Sequence, residues 1–277
     1  MNANLLDGKP SVLIPIAPGT NRNEELANAF QAAGADAHQV PLQLIRSGEV
    51  KLVDHQLLAI PGGFSYGDAL GAGRLLGLDL SGWFSDQLQQ ARDREMPMIG
   101  ICNGFQALVK AGLLPGDVEP SPPSGVLAAS ISSASGPVGA TLSENENGRF
   151  ECRWVHLAPS ASRSPWTAGL SEPIRCPVAH REGRFVASDL AAIEAADLVA
   201  FRYCNPDGSP AAGAYPANPN GSGADVAGIV DPTGLVLGLM PHPEDHVFRR
   251  QDPQWRRELG GGCLELFAAG VRAVTES

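Results

Sequence analysis

The stretch MPMIGICNGFQALVKAG, Met96 to Gly112, constrains this chain more than any other. Its first half is a short apolar run suited to a buried strand, and its second half has helical spacing. The two meet at G-x-C-x-G with no loop between them. A chain turning that sharply from sheet into helix needs Gly100 and Gly104, because side chains at those positions would collide inside the turn. Cys102 is thereby placed at the carboxyl edge of the sheet. The helix N-terminus beneath it presents unpaired N–H groups and a positive dipole end, a setting that favours the reactive thiolate. A small buried core thiol is the competing account, since cysteine is among the most buried residue types. A base is needed to decide between them.

LMPHPE, Leu239 to Glu244, supplies a candidate base. Pro241 and Pro243 fix their own φ and bias His242 toward an extended conformation, in which His242 and Glu244 project to the same side. Glu244 then orients one imidazole nitrogen while the other faces a thiol. Taken alone, HPE also suits a surface histidine in a proline turn. The third element is IPGGFSYGDALGAG, Ile60 to Gly73, where paired glycines after a strand free backbone N–H groups for an oxyanion. The Asn103 N–H is a second donor. A dinucleotide fingerprint fits this stretch poorly, because the glycines of GAGRLLG are spaced G-x-G-x-x-x-G and lie well past the strand end. The chain has no G-x-x-x-x-G-K-[ST] and so no P-loop.

Short apolar runs alternate with helical patterns through the first 115 residues, as in βαβ units on a parallel sheet. Strands are expected at Ser11–Ala17, Gln56–Ile60 and Met96–Cys102. Helices are expected at Asn23–Ala35, from Arg74 to about Arg92, and after Cys102. Proline, serine and small residues dominate Asp117 to Gly148, which reads as an irregular insertion in a single domain spanning 1–277. Strand-like runs follow (RFECRWVHL, IRCPVAH, DLVAFRY, DVAGIV, LVLGLM), then a final helix from about Gln254 to Val274, divided at Gly260–Gly262.

Composition narrows the function classes. A net charge of −10 with no long Lys/Arg cluster argues against nucleic acid as a partner. Nothing approaches the roughly 18 consecutive apolar residues of a membrane helix. Five cysteines without C-x-x-C spacing point away from a disulfide framework or a metal site and toward a reducing cytoplasm.

Together, PGGFSYGD, GICNGFQ, GLLPG, PVAHREGRF, NPNGS, VAGIVDPTG and GLMPHPE resemble the class I (triad) glutamine amidotransferases, specifically the glutaminase component of phosphoribosylformylglycinamidine synthases. The resemblance implies an α/β, flavodoxin-like fold with a mostly parallel sheet flanked by helices. It implies Cys102 as nucleophile, His242 as base and Glu244 as its orienter. It places Gly62, Gly63, Asn103 and Gly104 around the oxyanion, Gln106 against bound glutamine, and His180 to Gly183 in a loop near the glutamine site. It implies no cofactor in this chain, with ATP and Mg on a large synthetase partner, and leaves open a small third subunit. Asp245 stands where the resemblance predicts arginine, and GDALGAG and YPANPNGS are closer to the fused form of the synthase. Other readings are an amidotransferase of another pathway, a different cysteine hydrolase on the same fold, and a catalytically silent scaffold. GFQ after the cysteine and the joint presence of Cys102, His242 and Glu244 favour the amidotransferase.

Overall fold

Val12, Leu13 and Ile14 are wholly buried and make β1 (Ser11–Ile16) a central strand. In the computed structural model, residues 8–121, 138–160, 163–257 and 262–275 are described. Helix α1 (Asn23–Ala32) has Glu24 and Glu25 in its first turn, where acid complements the helix dipole, and buries Leu26, Ala27, Ala29 and Phe30. It leads to β2 (Asp36–Pro41), parallel to β1 in the register Ser11↔Asp36 to Ile16↔Pro41. The sequence DAHQVP carries no apolar run because β2 is an edge strand with mostly accessible side chains, and so it was not expected.

After the short helix α2 (Leu42–Arg46) comes β3 (Leu57–Ile60), fully buried. The single helix expected from Arg74 to Arg92 is two, α3 (Arg74–Ser81) and α4 (Ser85–Asp93), because Gly82 takes a non-helical φ of −101° and ψ of −85°. Then β4 (Met98–Ile101) runs directly into α5 (Asn103–Lys110).

The expected insertion is not irregular throughout. Its described part forms β5 (Ala140–Ser143), and Val118, Val138, Leu142 and Asn145 are buried; residues 122–137 lie outside the described residues. β6 (Glu151–Pro159), β7 (Ile174–His180), β8 (Arg184–Ala187), α6 (Leu190–Ala195), β9 (Val199–Cys204), β10 (Val226–Val230), β11 (Val236–Leu239) and α7 (Leu264–Arg272) complete the chain. β5 pairs antiparallel with β8 in a small sheet of its own. The final helix is shorter than expected. Trp255–Arg257 is a separate 3₁₀ turn, and 258–261 lie outside the described residues.

The main sheet has the order β2-β1-β3-β4-β11-β10-β9-β6-β7. The parallel pairing expected from βαβ alternation runs from β2 to β11, and the remaining strands add antiparallel pairs, so the sheet is mixed. Because β1 to β2 and β3 to β4 step in opposite directions, right-handed crossovers put α1 and α3 on opposite faces. α7 packs on α1, and α5 on α3. Phe30 sits edge-to-face with Phe267 and Trp166, at 5.2 and 6.4 Å between ring centroids, anchoring the α1–α7 layer.

The close approach of α5 to the sheet depends on two glycines. A Cβ on Gly104 would lie 2.2 Å from the Ile60 carbonyl oxygen, and one on Gly100 would lie 2.7 Å from Gly104 backbone. Neither obstacle is a side chain that can rotate away. Gly104→Ala is therefore expected to destabilise the protein by about 2 kcal/mol or more, the range for overpacking, and to lower Tm by about 4 °C or more in calorimetry. An unchanged Tm would mean that α5 can shift off β3 at no cost.

Candidate active site

Register brings the predicted residues together. Ile60 pairs with Gly100, and Gly100 with Gly238, so β3, β4 and β11 end side by side. The chain leaves those ends as Gly62–Gly63, Cys102 and His242. In an open α/β sheet this carboxyl edge is where ligands bind.

Cys102 has φ 51° and ψ −106°, a left-handed conformation costly for a residue with a side chain. Its N–H donates to the Leu239 carbonyl (2.8 Å), and its own carbonyl accepts from the Gln106 N–H (3.0 Å), so both flanking peptides are held. Sγ lies 3.9 Å from the Ala179 carbonyl oxygen. Asn103 opens α5, where a helix leaves its N–H groups without intrahelical partners.

His242 and Glu244 are 2% and 1% exposed, and their Nδ1 and Oε1 are 2.6 Å apart. The pairing matches the expectation; the backbone does not. Pro243 starts a single 3₁₀ turn, Pro243–His246, and that turn folds Glu244 back onto the ring. The His242 N–H donates to the Pro177 carbonyl (2.8 Å), which ties the turn to β7. Burial works to lower the His242 pKa. The Glu244 charge, the Cys102 sulfur and hydrogen bonds to both outweigh it and hold the imidazole well above its ordinary value.

Gly62 is wedged between these groups. A Cβ there would lie 2.8 Å from His242 Cε1 and 3.4 Å from Cys102 Cβ. Gly63, at φ 124°, bridges to Thr20 and lies against Asn21. The Asn103 amide spans the gap from α5 to this loop: Oδ1 accepts from the Ser65 N–H (3.1 Å), and Nδ2 donates to Asp68 Oδ1 (3.0 Å) and Gln106 Oε1 (3.1 Å). Gln106 in turn donates to the Glu182 carbonyl, so both ends of its amide engage protein. His180 is buried beside this group. Burial and the His242 charge push its pKa down to about 3.

Three polar residues of this neighbourhood escaped the sequence reading. Asp68 has a pKa raised by burial and by the charge of Glu182. Asn145 sits in a stretch whose composition signals only turns. Asn220 belongs to NPNGS, a motif whose residues carry no reactive chemistry of their own. Two open clefts elsewhere, along β6 and the 205–221 segment, include neither Cys102 nor His242.

The model of the CobB/CobQ-like glutamine amidotransferase domain matches residues 9–273. Phosphoribosylformylglycinamidine synthase subunit PurQ of Treponema denticola is 43% identical, over 96% of this chain and 99% of its own. The same subunit of Dehalococcoides mccartyi is 38% identical, over 95% and 97%. The chain belongs to the PurQ family of glutamine amidotransferases. A structure of PurLQS from Thermotoga maritima superposes with a TM-score of 0.70 at 28% identity, covering 96% of this chain and 99% of that one. Among the described residues, no helix is long and apolar enough to cross a membrane.

Asp245, next to Glu244, meets a cation from another element. Arg22, at the start of α1, lies 3.7 Å from Asp245, and its guanidinium is also close enough to feel Glu244. Burial, reinforced by Glu244 and only partly offset by His242 and Arg22, raises the Asp245 pKa to about 6. A carboxyl raised in the folded state holds its proton in the fold when the unfolded chain has lost it. Stability from this group therefore falls as pH rises from about 4 to about 6 and is level above. Asp245→Asn is expected to gain Tm relative to the unsubstituted protein across that window and to keep a constant advantage above it. A Tm difference independent of pH would refute the assignment.

Proposed function

We propose that Cys102, His242 and Glu244 carry out the glutamine hydrolysis of this amidotransferase, with the N–H groups of Gly63 and Asn103 as the oxyanion site. The observation that carries the reading is a thiol on a strained strand-to-helix turn, set across Gly62 from a buried histidine that is itself paired with a buried carboxylate.

Each role follows from placement. The Cys102 sulfur attacks the side-chain carboxamide carbon of glutamine, and the negative charge developing on oxygen is met by backbone N–H donors that need no reorganisation. His242, biased toward its protonated form, gives its proton to the departing nitrogen, so ammonia leaves and a thioester remains. The neutral imidazole then takes a proton from water as it attacks the thioester, which releases glutamate and regenerates the thiolate–imidazolium pair. Glu244 holds the Nδ1 proton and thereby keeps Nε2 directed at the sulfur. Ammonia passes to the synthetase subunit, which makes formylglycinamidine ribonucleotide in purine biosynthesis. ATP and Mg belong to that partner in this reading.

Cys102→Ala is expected to abolish glutamate release while the reconstituted complex still makes product from added ammonium salt. Glu244→Gln is expected to lose less kcat than His242→Ala, because orientation goes but the base stays. Comparable glutamine hydrolysis by Cys102→Ala would make Cys102 a structural thiol and sink the proposal.

A further inference from the structure

The turn joining β7 to β8 is held at every carbonyl. The His180 carbonyl accepts from Asn145 Nδ2 (2.9 Å), Arg181 from the Asn145 N–H (2.8 Å), Glu182 from Gln106 Nε2, and Gly183 from Asn220 Nδ2 (2.9 Å). Asn145 is the centre of this arrangement. Its Nδ2 also donates to the Arg149 carbonyl (2.8 Å), and its Oδ1 accepts from the Gly183 N–H (3.1 Å). Two carbonyls on one side and an N–H on the other leave a single orientation for the amide.

That orientation has a chemical consequence. Asn145 Oδ1 lies 3.1 Å from His180 Nδ1, and an amide oxygen can only accept, so Nδ1 carries the proton. His180 Nε2 is then an acceptor. It is buried and has no hydrogen-bond partner among the described residues, an arrangement that costs free energy until something donates to it. The ring lies against Gly183 so closely that a Cβ there would be 2.3 Å from it, which bounds it on that side. The preceding residue, Ala179, has its carbonyl beside Cys102 Sγ.

We propose that Asn145 is a positioning residue for substrate: it holds His180 as the Nδ1–H tautomer, so that Nε2 accepts a hydrogen bond from an N–H group of bound glutamine. This rests on the reading of the Cys102 pocket as the glutamine site. It assigns work to a residue outside every motif that carries the family resemblance, while Asn220 of NPNGS holds the far side of the same turn. A pKa near 3 keeps the His180 ring neutral, with the Nε2 lone pair available throughout the physiological range.

Imidazole ¹⁵N NMR of the full chain tests the tautomer without any catalysis. His180 is expected to show a protonated Nδ1 and an unprotonated Nε2, and an Nε2–H tautomer would overturn the proposal. Glutaminase kinetics of the chain in complex with its synthetase test the consequence. His180→Asn keeps a donor toward Asn145 but lacks an acceptor at the ε position. It is expected to raise KM for glutamine about tenfold, the worth of one hydrogen bond, while kcat changes less than about threefold. His180→Gln, whose amide reaches the ε position, is expected to recover part of that loss, and Asn145→Ala to raise KM in the same direction as His180→Asn. An unchanged KM in His180→Asn, or no advantage of His180→Gln over it, would also overturn the proposal. Absence of glutaminase activity from the unsubstituted complex would instead sink the amidotransferase reading itself, a failure that the tautomer measurement keeps separate.

Discussion

The parallel pairing of β4 with β11 is the contact on which the site depends. These strands are separated by well over a hundred residues of chain, yet Gly100 faces Gly238 and Ile101 faces Leu239 in register. A shift of one residue would turn Cys102 or the PHPE turn toward the wrong face, because side chains alternate along a strand. Glycine at both facing positions has its own reason. A Cβ on Gly238 would lie 2.0 Å from the Phe105 ring, so the first turn of α5 packs directly over β11. The Cys102 turn and the His242 turn are therefore held by one local packing unit.

The antiparallel half of the sheet completes the pocket from the other side. β7 lies five places from β4 in the strand order, yet its Pro177 carbonyl accepts from the His242 N–H and its Ala179 carbonyl approaches Cys102. A sheet reaches back on itself in this way by twisting and bending, and the register between β9 and β10 breaks around Gly228, as a bulge requires. Gly228 also tolerates close contact, since a Cβ there would lie 2.6 Å from the Gly238 carbonyl oxygen. Bending brings the His180 turn within reach of the charge on His242 and of the Gln106 amide, groups that belong to the parallel half.

Polar order in this pocket is built from amides rather than charges. Asn103, Gln106, Asn145 and Asn220 are all buried and link three loops and a helix start. Neutral amides can be buried fully when satisfied, and each supplies both a donor and an acceptor, so they set orientation without altering the charge near the thiol. The charged groups nearest the thiol include two pairs of opposite sign. Glu244 faces His242, and Arg22 faces Asp245.

Local patterns in the sequence were sufficient for the strand-to-helix turn at Cys102 and the central strands. A strand-to-helix turn at Cys102 needs glycines at fixed offsets, and fully buried strands such as MIGI need continuous apolar runs, so both leave a readable trace. The pairing of His242 with Glu244 was also legible, although its cause is a 3₁₀ turn begun by Pro243 rather than an extended strand. β2, β5 and β8 were not legible because short or partly exposed strands carry little apolar signal, and at Gly82 the glycine warned of a break that the helical spacing on both sides outweighed. Asn145 and Asn220 could be recognised only in three dimensions. Their function is to satisfy backbone groups that are distant in sequence, and nothing in the identity of an asparagine says which carbonyl it will meet.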